Sequence, residues 1–295
     1  NEALDKIRKS SFNISKIETK RVKRNPLAPF TTSTLQQEAS NKLGFGASRT
    51  MRIAQKLYEG INIGSETTGL ITYMRTDGVQ LSSQAIDELR NEITNRHGKD
   101  YIPQTPRVYK SKAANAQEAH EAIRPTSISR DPENMSQYLD NEQLKLYELI
   151  WKRTISSQMQ SAELDETAAD ISNKDMSIIF RANGSQVYFP GFFVYRDRED
   201  DKILPKLVEN EDVDLEKADG EQHFTQPPPR FTDASLIKKM EELGIGRPST
   251  YASILQVLIN RSYVEKEKGK HIPQERGRIL TAFLNNFFGQ YIEYD

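Results

Sequence analysis

The spacing of hydrophobic and polar positions divides the chain into helical and extended regions. In several stretches between residues 34 and 159, apolar residues recur every three or four positions, which predicts a series of amphipathic helices. The first two helices are short and are separated by Gly44-Phe45-Gly46; a capping box of Ser33 with Gln36 starts the first, and Ser48 caps the second. With the extended segment that follows, they predict a helix-turn-helix with a wing-like strand.

The apolar positions on these helices predict part of the core. In the second helix, the residues expected to face inward are Met51, Ala54, Leu57 and Tyr58. The next helix is capped by Ser82 or Ser83. The helix predicted over 141–159 has the most regular apolar stripe, and the lone tryptophan, Trp151, lies on it. We therefore expect Trp151 to anchor the core rather than to stack on a base.

Two regions show the patterns of β-strands. Residues 12–24 carry a few apolar residues among charges and predict an exposed, twisted ribbon. Between 162 and 224, short β-like runs are separated by the turn signals Asn183-Gly184 and Pro190-Gly191. This second region is predicted to be a β domain, and it contains no motif that suggests chemistry.

The C-terminal pattern predicts a second helix-turn-helix with a wing. The stiff linker Pro227-Pro228-Pro229 precedes it. Its first helix is predicted to be capped by Thr232 or Asp233 and to end at Gly244. Its second helix is predicted to be capped by Ser249 and to lead into a strand entered from Arg261. A last helix is predicted from about Arg278.

The stretch from Gly69 to Gly78 joins an apolar, extended start to a polar end. Side chains alternate along an extended segment, so Tyr73 and Arg75 are expected on the same side. A tyrosinate can attack a phosphodiester, and a nearby guanidinium can bind the phosphoryl oxygens and favour the phenolate. A tyrosine near a strand end is more often a packing residue, so this pair alone makes catalysis a hypothesis.

A short helix predicted over about 115–123 offers a second polar surface. On it Gln117, His120, Glu121 and Arg124 fall at helical spacing and share one face. A histidine in that position can orient or protonate a phosphate. The same face is equally typical of a charged helix exposed to solvent.

Charge and composition narrow the possible functions only in part. The 295 residues carry a net charge of -1, which neither indicates nor excludes a nucleic-acid partner. There is no cysteine, so disulfides and thiolate metal sites are excluded within the chain, and no apolar run is long enough for a membrane span. No G-x-x-x-x-G-K-[ST] nucleotide loop occurs. The acidic run Asp212-Val213-Asp214-Leu215-Glu216 matches a magnesium-binding spacing, but it lies in a strand-like segment, and we assign no metal to it.

Three longer motifs identify a family. They are LITYMRTD at 70–77, QEAHEAIRP at 117–125 and GIGRPSTYA at 244–252. Together they resemble the bacterial type IA DNA topoisomerases, in that family's order and over nearly the whole chain. The resemblance implies an α+β multidomain fold. It would be a fragment of the toroidal type IA fold, with winged-helix-like (CAP-like) helical units and a β-rich arch.

The resemblance also implies an activity and the residues that carry it. Such enzymes relax negatively supercoiled DNA without ATP, through single-strand cleavage, a 5′-phosphotyrosine intermediate, strand passage and religation. By match, Tyr73 is the nucleophile, Arg75 the cation of the transition state, and His120 an assisting residue at the phosphate. The positions that match single-strand contacts are Arg247, Ser249, Thr250 and Arg261.

The family pattern assigns a role to each part of the chain. Residues 1–32 and 160–229 would form two segments of the arch, 33–159 the gate that bears the tyrosine, and 230–295 part of the base that binds single-stranded DNA. The magnesium-binding TOPRIM module does not match any of these residues. We therefore expect Mg²⁺ to bind outside this fragment, no metal site within it, and little or no cleavage by the fragment alone. The expected partner is DNA, chiefly single-stranded, without ATP or a membrane, and the protein is expected to be a monomer in the bacterial cytoplasm, associated with the nucleoid.

Two other functions use the same residues. A tyrosine recombinase also combines Tyr, Arg and His, but its tyrosine usually follows the other two, whereas Tyr73 precedes His120. A non-enzymatic winged-helix DNA-binding module would explain the helix-turn-helix units without a reactive tyrosine. A covalent protein–DNA adduct that is lost with Tyr73→Phe distinguishes the enzyme from the binding module.

Overall fold

The computed structural model describes residues 2–110, 120–196 and 201–292. The chain divides into two compact units, each built from two stretches of sequence. Unit 1 contains Asn1–Pro26 and Met159–Pro227, and unit 2 contains Leu27–Gln158 and Pro228–Asp295. The roles of arch, gate and base that the sequence assigned to these stretches stay predictions.

Helices and strands make up most of the described residues. The α-helices are α1 (Glu2–Arg8), α2 (Thr32–Leu43), α3 (Ala47–Glu59), α4 (Ser83–His97), α5 (Pro132–Met135), α6 (Asn141–Ser157), α7 (Asp233–Glu242), α8 (Tyr251–Asn260) and α9 (Glu275–Phe287). The strands are β1 (Phe12–Arg24), β2 (Ile61–Asn62), β3 (Thr67–Thr68), β4 (Ala162–Asn173), β5 (Ile179–Phe189), β6 (Asp212–Val213), β7 (Val264–Glu267) and β8 (Lys270–Pro273). None of the helices within these described ranges has the length and hydropathy of a membrane span.

Unit 1 is an antiparallel sheet with the strand order β5-β4-β1-β6. Its two long central strands, β1 and β4, pair along their whole length. The basic residues of β1 face acids of β4: Arg21 binds both carboxylate oxygens of Asp165 at 2.9 Å, and Lys23 reaches Glu163 at 3.1 Å. These exposed pairs add little stability, but they favour one register of the two strands. The basic charge near the N-terminus is therefore largely neutralised within the sheet.

Unit 2 is built from helices. Helix α2 packs against α7, and α3 packs against both α6 and α8. One buried cluster of this unit contains Ala47, Ile237, Met240, Tyr251 and Leu255, so it joins α3 to α7 and α8. Trp151 in α6 is 2% exposed, and its indole N–H donates to the carbonyl of Ile128 at 2.9 Å. The prediction that Trp151 anchors the core is confirmed.

Several helix starts differ from the predictions because other groups cap them. Helix α2 is capped by Thr31 in a reciprocal box with Thr34, not by Ser33 with Gln36. Helix α3 begins at Ala47 rather than after Ser48, since a distant carboxylate, that of Asp233, accepts the Ala47 N–H. Ser249 does not cap α8, which begins at Tyr251. The cap by Ser82 is confirmed.

One predicted helix and one predicted buried face were also wrong. The helix expected over 115–123 is not present in its described part: residues 120–124 are extended, because Ala122 and Ile123 donate to the carbonyls of Gln80 and Phe30. Residues 111–119, including Gln117, lie outside the described residues. In α3, Met51 is only partly buried and Tyr58 is 40% exposed, while Thr50 and Ile53 take the inward positions beside Ala54 and Leu57.

Candidate active site

The segment that carries Tyr73 is held on two sides by backbone hydrogen bonds. Leu70 and Ile71 are buried, and the Leu70 N–H donates to the carbonyl of Leu57 in α3 at 2.8 Å. On the other side, the Thr126 N–H donates to the Leu70 carbonyl at 3.0 Å, and Ile71 forms an antiparallel bridge with Pro125. The segment is thus fixed between α3 and the extended residues that follow His120. Beyond Ile71 it bends rather than continuing as a regular strand.

Thr72 joins two of the three sequence motifs. Its hydroxyl donates to the carbonyl of Ala122 at 2.7 Å and accepts the Arg124 N–H at 3.0 Å. Its own N–H donates to the Arg124 carbonyl at 2.9 Å. Because one side chain satisfies a donor and an acceptor of the neighbouring segment, the register between the two motifs is fixed. This register brings His120 next to Tyr73.

Tyr73 lies between two other rings. Its centroid is 5.4 Å from that of Tyr58, in an edge-on arrangement, and 5.4 Å from that of His120. The Tyr73 side chain is half-buried, and within the described ranges its hydroxyl forms no hydrogen bond. Ring contacts therefore hold the side chain, and its oxygen is available to a ligand.

Arg75 is exposed, whereas its neighbours Met74 and Thr76 are 1% and 2% exposed. Exposure thus alternates along the segment: Tyr73 and Arg75 are the more exposed residues, and Met74 and Thr76 are buried. In the part of the chain that the structure describes, the Arg75 guanidinium has no ion pair and no hydrogen bond. An exposed, unpaired guanidinium close to an available phenol can bind an anionic group such as a phosphate.

His120 is exposed, and its backbone approaches that of Gly78 closely. A Cβ at position 78 would lie 2.3 Å from the His120 carbonyl oxygen, so the observed approach depends on glycine there. The carboxylate of the next residue, Glu121, binds the Arg124 guanidinium at 2.6 Å. Of the four residues predicted to share a polar face, Glu121 and Arg124 pair with each other, and His120 instead faces Tyr73.

The third motif is adjacent to the first. Burial, together with the carboxylates of Glu241 and Asp77, raises the pKa of the Tyr251 phenol, so Asp77 lies close enough to act on α8. The Glu241 carboxylate accepts the Ser33 hydroxyl at 2.7 Å, which connects α7 to α2. Unit 2 therefore brings all three motifs into one region.

The four predicted DNA-binding residues do not form a single group. Thr250 accepts the Arg247 N–H at 2.8 Å in the turn before α8, and the exposed Ser249 lies between them. Arg261 is at the opposite end of this ten-residue helix, about 15 Å along its axis. The turn and the positive end of the helix dipole can hold a phosphate, whereas Arg261 would have to meet a different part of a bound strand.

A buried polar cluster supports the start of α3. Asp233 and His271 are each 5% exposed, and His271 Nε2 donates to Asp233 Oδ1 at 2.9 Å. Lys266 reaches the same oxygen at 2.8 Å, and Asp233 Oδ2 accepts the Ala47 N–H at 3.2 Å. Through Asp233, the β7–β8 wing, α7 and α3 are joined.

A magnesium ion was expected to bind outside this fragment. Among the described residues, no group of three or more His, Cys, Asp or Glu side chains could hold a metal ion. Asp212 and Asp214 of the acidic run are exposed, and Asp212 belongs to β6 at the edge of the unit 1 sheet. We therefore derive no chemical step through a metal in this chain.

Comparison with known proteins gives the family. A profile of the DNA topoisomerase family matches residues 1–295. The chain belongs to this family. It is 54% identical to DNA topoisomerase 1 of Rickettsia bellii (strain RML369-C), over 99% of this chain and 37% of that protein. It is 52% identical to DNA topoisomerase 1 of Zymomonas mobilis (strain ATCC 31821 / ZM4 / CP4), over 96% of this chain and 23% of that protein.

A solved topoisomerase has the same fold. Full-length topoisomerase I from Thermotoga maritima superimposes with a TM-score of 0.88 at 38% identity, over 99% of this chain and 48% of that chain. The predicted resemblance to the type IA topoisomerases and the α+β fold that it implies are confirmed. The chain spans less than half the length of each of these relatives, from 23% to 48%.

The sequence predicted the residues that face the site, but not those that hold its backbone. Thr32, Thr72 and Tyr58 all position the Tyr73 segment, and none was predicted from the sequence as a site residue; Tyr58 was expected only in the core. Thr72 immediately precedes the tyrosine within the first motif, which was the available signal. Thr32 lies in the run Thr31-Thr32-Ser33-Thr34, where its hydroxyl could not be distinguished from a helix cap.

Proposed function

We propose that this chain is the tyrosine-bearing part of a DNA topoisomerase that relaxes negatively supercoiled DNA by cutting and rejoining one strand. The observation that supports it best is the arrangement around Tyr73. An accessible phenol lies beside the His120 ring, and the exposed Arg75, two residues along, has no partner within the described residues; family membership makes a DNA phosphate the fitting substrate. The proposed partner is single-stranded DNA, without ATP, bound by a monomer.

In the proposed cleavage step, the Tyr73 oxygen attacks the scissile phosphorus. The phenol gives up its proton, the bond from phosphorus to the 3′ oxygen breaks, the 5′-phosphate becomes attached to Tyr73, and the leaving 3′ oxygen takes up a proton, so the numbers of bonds and protons are conserved. Arg75 stabilises the charge that develops on the phosphoryl oxygens, and His120 hydrogen-bonds the same phosphate. The phosphotyrosine ester retains the energy of the original bond, so attack by the 3′-hydroxyl reverses the step and needs no ATP.

The turn before α8 would hold the strand that enters the site. Arg247, Ser249 and Thr250 precede a helix N-terminus, where backbone N–H groups and the helix dipole favour a phosphate. Arg261 would contact the backbone further along. Mg²⁺ is proposed to bind a part of the protein that this chain does not contain. The isolated chain is accordingly expected to bind DNA and to cleave it poorly, and a cytoplasmic, nucleoid-associated location follows from a chromosomal substrate.

The test is a covalent adduct in the full-length gene product that contains this chain. Single-stranded DNA labelled at its 5′ or 3′ end is incubated with the protein and Mg²⁺, then denatured. We expect an adduct on the 5′-phosphate side of the break that is lost with Tyr73→Phe. The matched control is Tyr58→Phe, which removes the adjacent phenol and keeps its ring, and it should retain the adduct.

Each outcome decides between the candidates. Loss of the adduct with Tyr58→Phe but not with Tyr73→Phe would reassign the nucleophile. DNA binding with no adduct in the wild type would favour a non-enzymatic winged-helix module instead. The salt dependence of binding would not distinguish the two, since both release counterions from phosphate.

A further inference from the structure

Thr32 is a fully buried residue in the first turn of α2, and its side chain contacts the Tyr73 segment. Its hydroxyl lies 2.7 Å from the Met74 carbonyl and 3.0 Å from the Thr76 carbonyl, and it accepts the Thr76 N–H at 2.8 Å. The Thr32 N–H also donates to the Thr76 carbonyl at 2.9 Å. The hydroxyl therefore uses both its donor and its acceptor capacity on one short piece of backbone.

These contacts lie on either side of Arg75. The Met74 carbonyl belongs to the peptide before Arg75, and the Thr76 N–H belongs to the peptide after it. Holding both peptides restricts the two backbone dihedrals of Arg75. Within the described ranges, no side chain pairs with its guanidinium, so the direction of the Arg75 side chain depends on this backbone.

Thr32 is not needed as a helix cap. Helix α2 is capped by Thr31, whose hydroxyl accepts the Thr34 N–H at 3.2 Å while the Thr34 hydroxyl accepts the Thr31 N–H at 2.9 Å. The neighbouring Ser33 hydroxyl donates to Glu241. The contacts of the Thr32 hydroxyl are with the Tyr73 segment.

We propose that Thr32 is a positioning residue that orients Arg75 toward the scissile phosphate. This inference rests on the proposed cleavage reaction and adds a residue to it. Arg75 is aligned before DNA arrives, so it does not have to be ordered during the reaction. Displacement of a catalytic group by about 1 Å can cost roughly 100-fold in rate, so loss of this hydroxyl should be visible in the chemical step.

The experiment compares Thr32→Val and Thr32→Ser in the full-length protein. Valine keeps the shape and loses the hydroxyl, whereas serine keeps the hydroxyl. The matched control is Thr154→Val, since Thr154 is 1% exposed and its hydroxyl donates only to Ile150 of its own helix. Single-turnover cleavage, religation and DNA affinity are measured for each variant.

We expect Thr32→Val to slow cleavage about 10- to 100-fold with unchanged DNA affinity. Thr32→Ser should remain within about 3-fold of the wild type, and Thr154→Val within about 2-fold. Equal rates for Thr32→Val and Thr154→Val would overturn the inference. If Thr32→Val does not fold, Thr32→Ala against Thr32→Ser makes the same comparison at lower temperature.

A double-mutant cycle with Arg75→Ala tests whether Thr32 acts through Arg75. If it does, Thr32→Val should slow the Arg75→Ala protein by less than about 2-fold. An equal slowing in both backgrounds would indicate a general distortion and would overturn the inference. Tyr73→Phe in the same assay tests the proposed function separately: an adduct that depends on Tyr73 but not on the Thr32 hydroxyl refutes only the positioning role.

Discussion

Replacing Asp233 with asparagine is expected to loosen the contact that joins α7 and the β7–β8 wing to α3. A carboxylate only accepts hydrogen bonds, and Asp233 accepts three: from His271 and Lys266 on one oxygen and from the Ala47 N–H on the other. An asparagine has one accepting oxygen and one donating NH₂ group. Whichever way it turns, a donor faces another donor inside the unit.

The size of the effect follows from these contacts. One buried donor left without a partner costs about 1–3 kcal/mol, and a lost hydrogen bond to a charged group about 1.5–3 kcal/mol. Two effects reduce this loss. Lys266 is 35% exposed, so solvent weakens its ion pair with Asp233, and the neutral amide costs less to bury than the carboxylate. We expect Asp233→Asn to lower the free energy of unfolding of unit 2 by about 2–4 kcal/mol near pH 7.

The pH dependence has a definite sign. Burial alone would raise the pKa of Asp233, but the hydrogen bonds from His271 and Lys266 and the Lys266 charge outweigh it and hold the pKa well below its ordinary value. A group with a depressed pKa stabilises the fold fully above its unfolded pKa, about 3.9 for aspartate, and loses that effect as the pH falls further. The difference between wild type and Asp233→Asn should therefore shrink below about pH 4.

Urea unfolding followed by tryptophan fluorescence measures this directly. Trp151 is the only tryptophan of the chain and is buried in unit 2, so its signal follows that unit. Asp165→Asn is the control, because that residue forms an exposed pair with Arg21 in unit 1 and should leave the Trp151 transition unchanged. The reasoning would be refuted if Asp233→Asn lowered the free energy of unfolding by less than about 0.5 kcal/mol. It would also be refuted if the difference in free energy of unfolding between the two proteins were as large at pH 3 as at pH 7.

Two further substitutions test the packing of each unit. Tyr147 is fully buried, and its hydroxyl donates to the Arg130 carbonyl at 2.6 Å. Tyr147→Phe should therefore lower the free energy of unfolding that Trp151 fluorescence reports by about 1–2 kcal/mol. No change would show that another group replaces this hydrogen bond. Gly191 has a φ of 48°, and a Cβ there would lie 2.5 Å from the carbonyl oxygens of Gln160 and Ser161. Gly191→Ala should cost unit 1 at least about 2 kcal/mol, seen as faster proteolysis of residues 159–227 with the Trp151 transition intact.

Local patterns predicted most of the elements but fewer of their ends. The apolar stripe of α6 and the long ribbon of β1 are visible in sequence because they depend on spacing alone. The start of α3 was not, since the group that caps it, Asp233, is 186 residues away in sequence from Ala47. When a side chain that is distant in sequence accepts the free backbone N–H of a helix start, the local sequence carries no capping residue to predict that start.

The residues around His120 show the opposite failure. Their spacing fits a helix, but the backbone of 120–124 donates and accepts across to Thr72, Gln80 and Phe30. Tertiary pairing outweighed a weak local preference, which sequence spacing does not reveal. His120 was nevertheless predicted as a site residue, because that prediction came from the motif and not from the helix; its ring lies beside Tyr73, and its role at a phosphate stays a prediction.

Around Tyr73, the side chains that face the site differ from those that hold its backbone, and this difference explains which of them could be predicted from the sequence. In the described part of the chain, the side chains of Tyr73, Arg75 and His120 form no hydrogen bonds, while the hydroxyls of the buried Thr32 and the half-buried Thr72 hold the backbone beside them. Polar groups that have no partner among the described residues are suited to an incoming anionic ligand, since no existing bond must be broken first. The threonines that hold them look like ordinary helix-start or strand residues in sequence, so their role became visible only from the contacts they make.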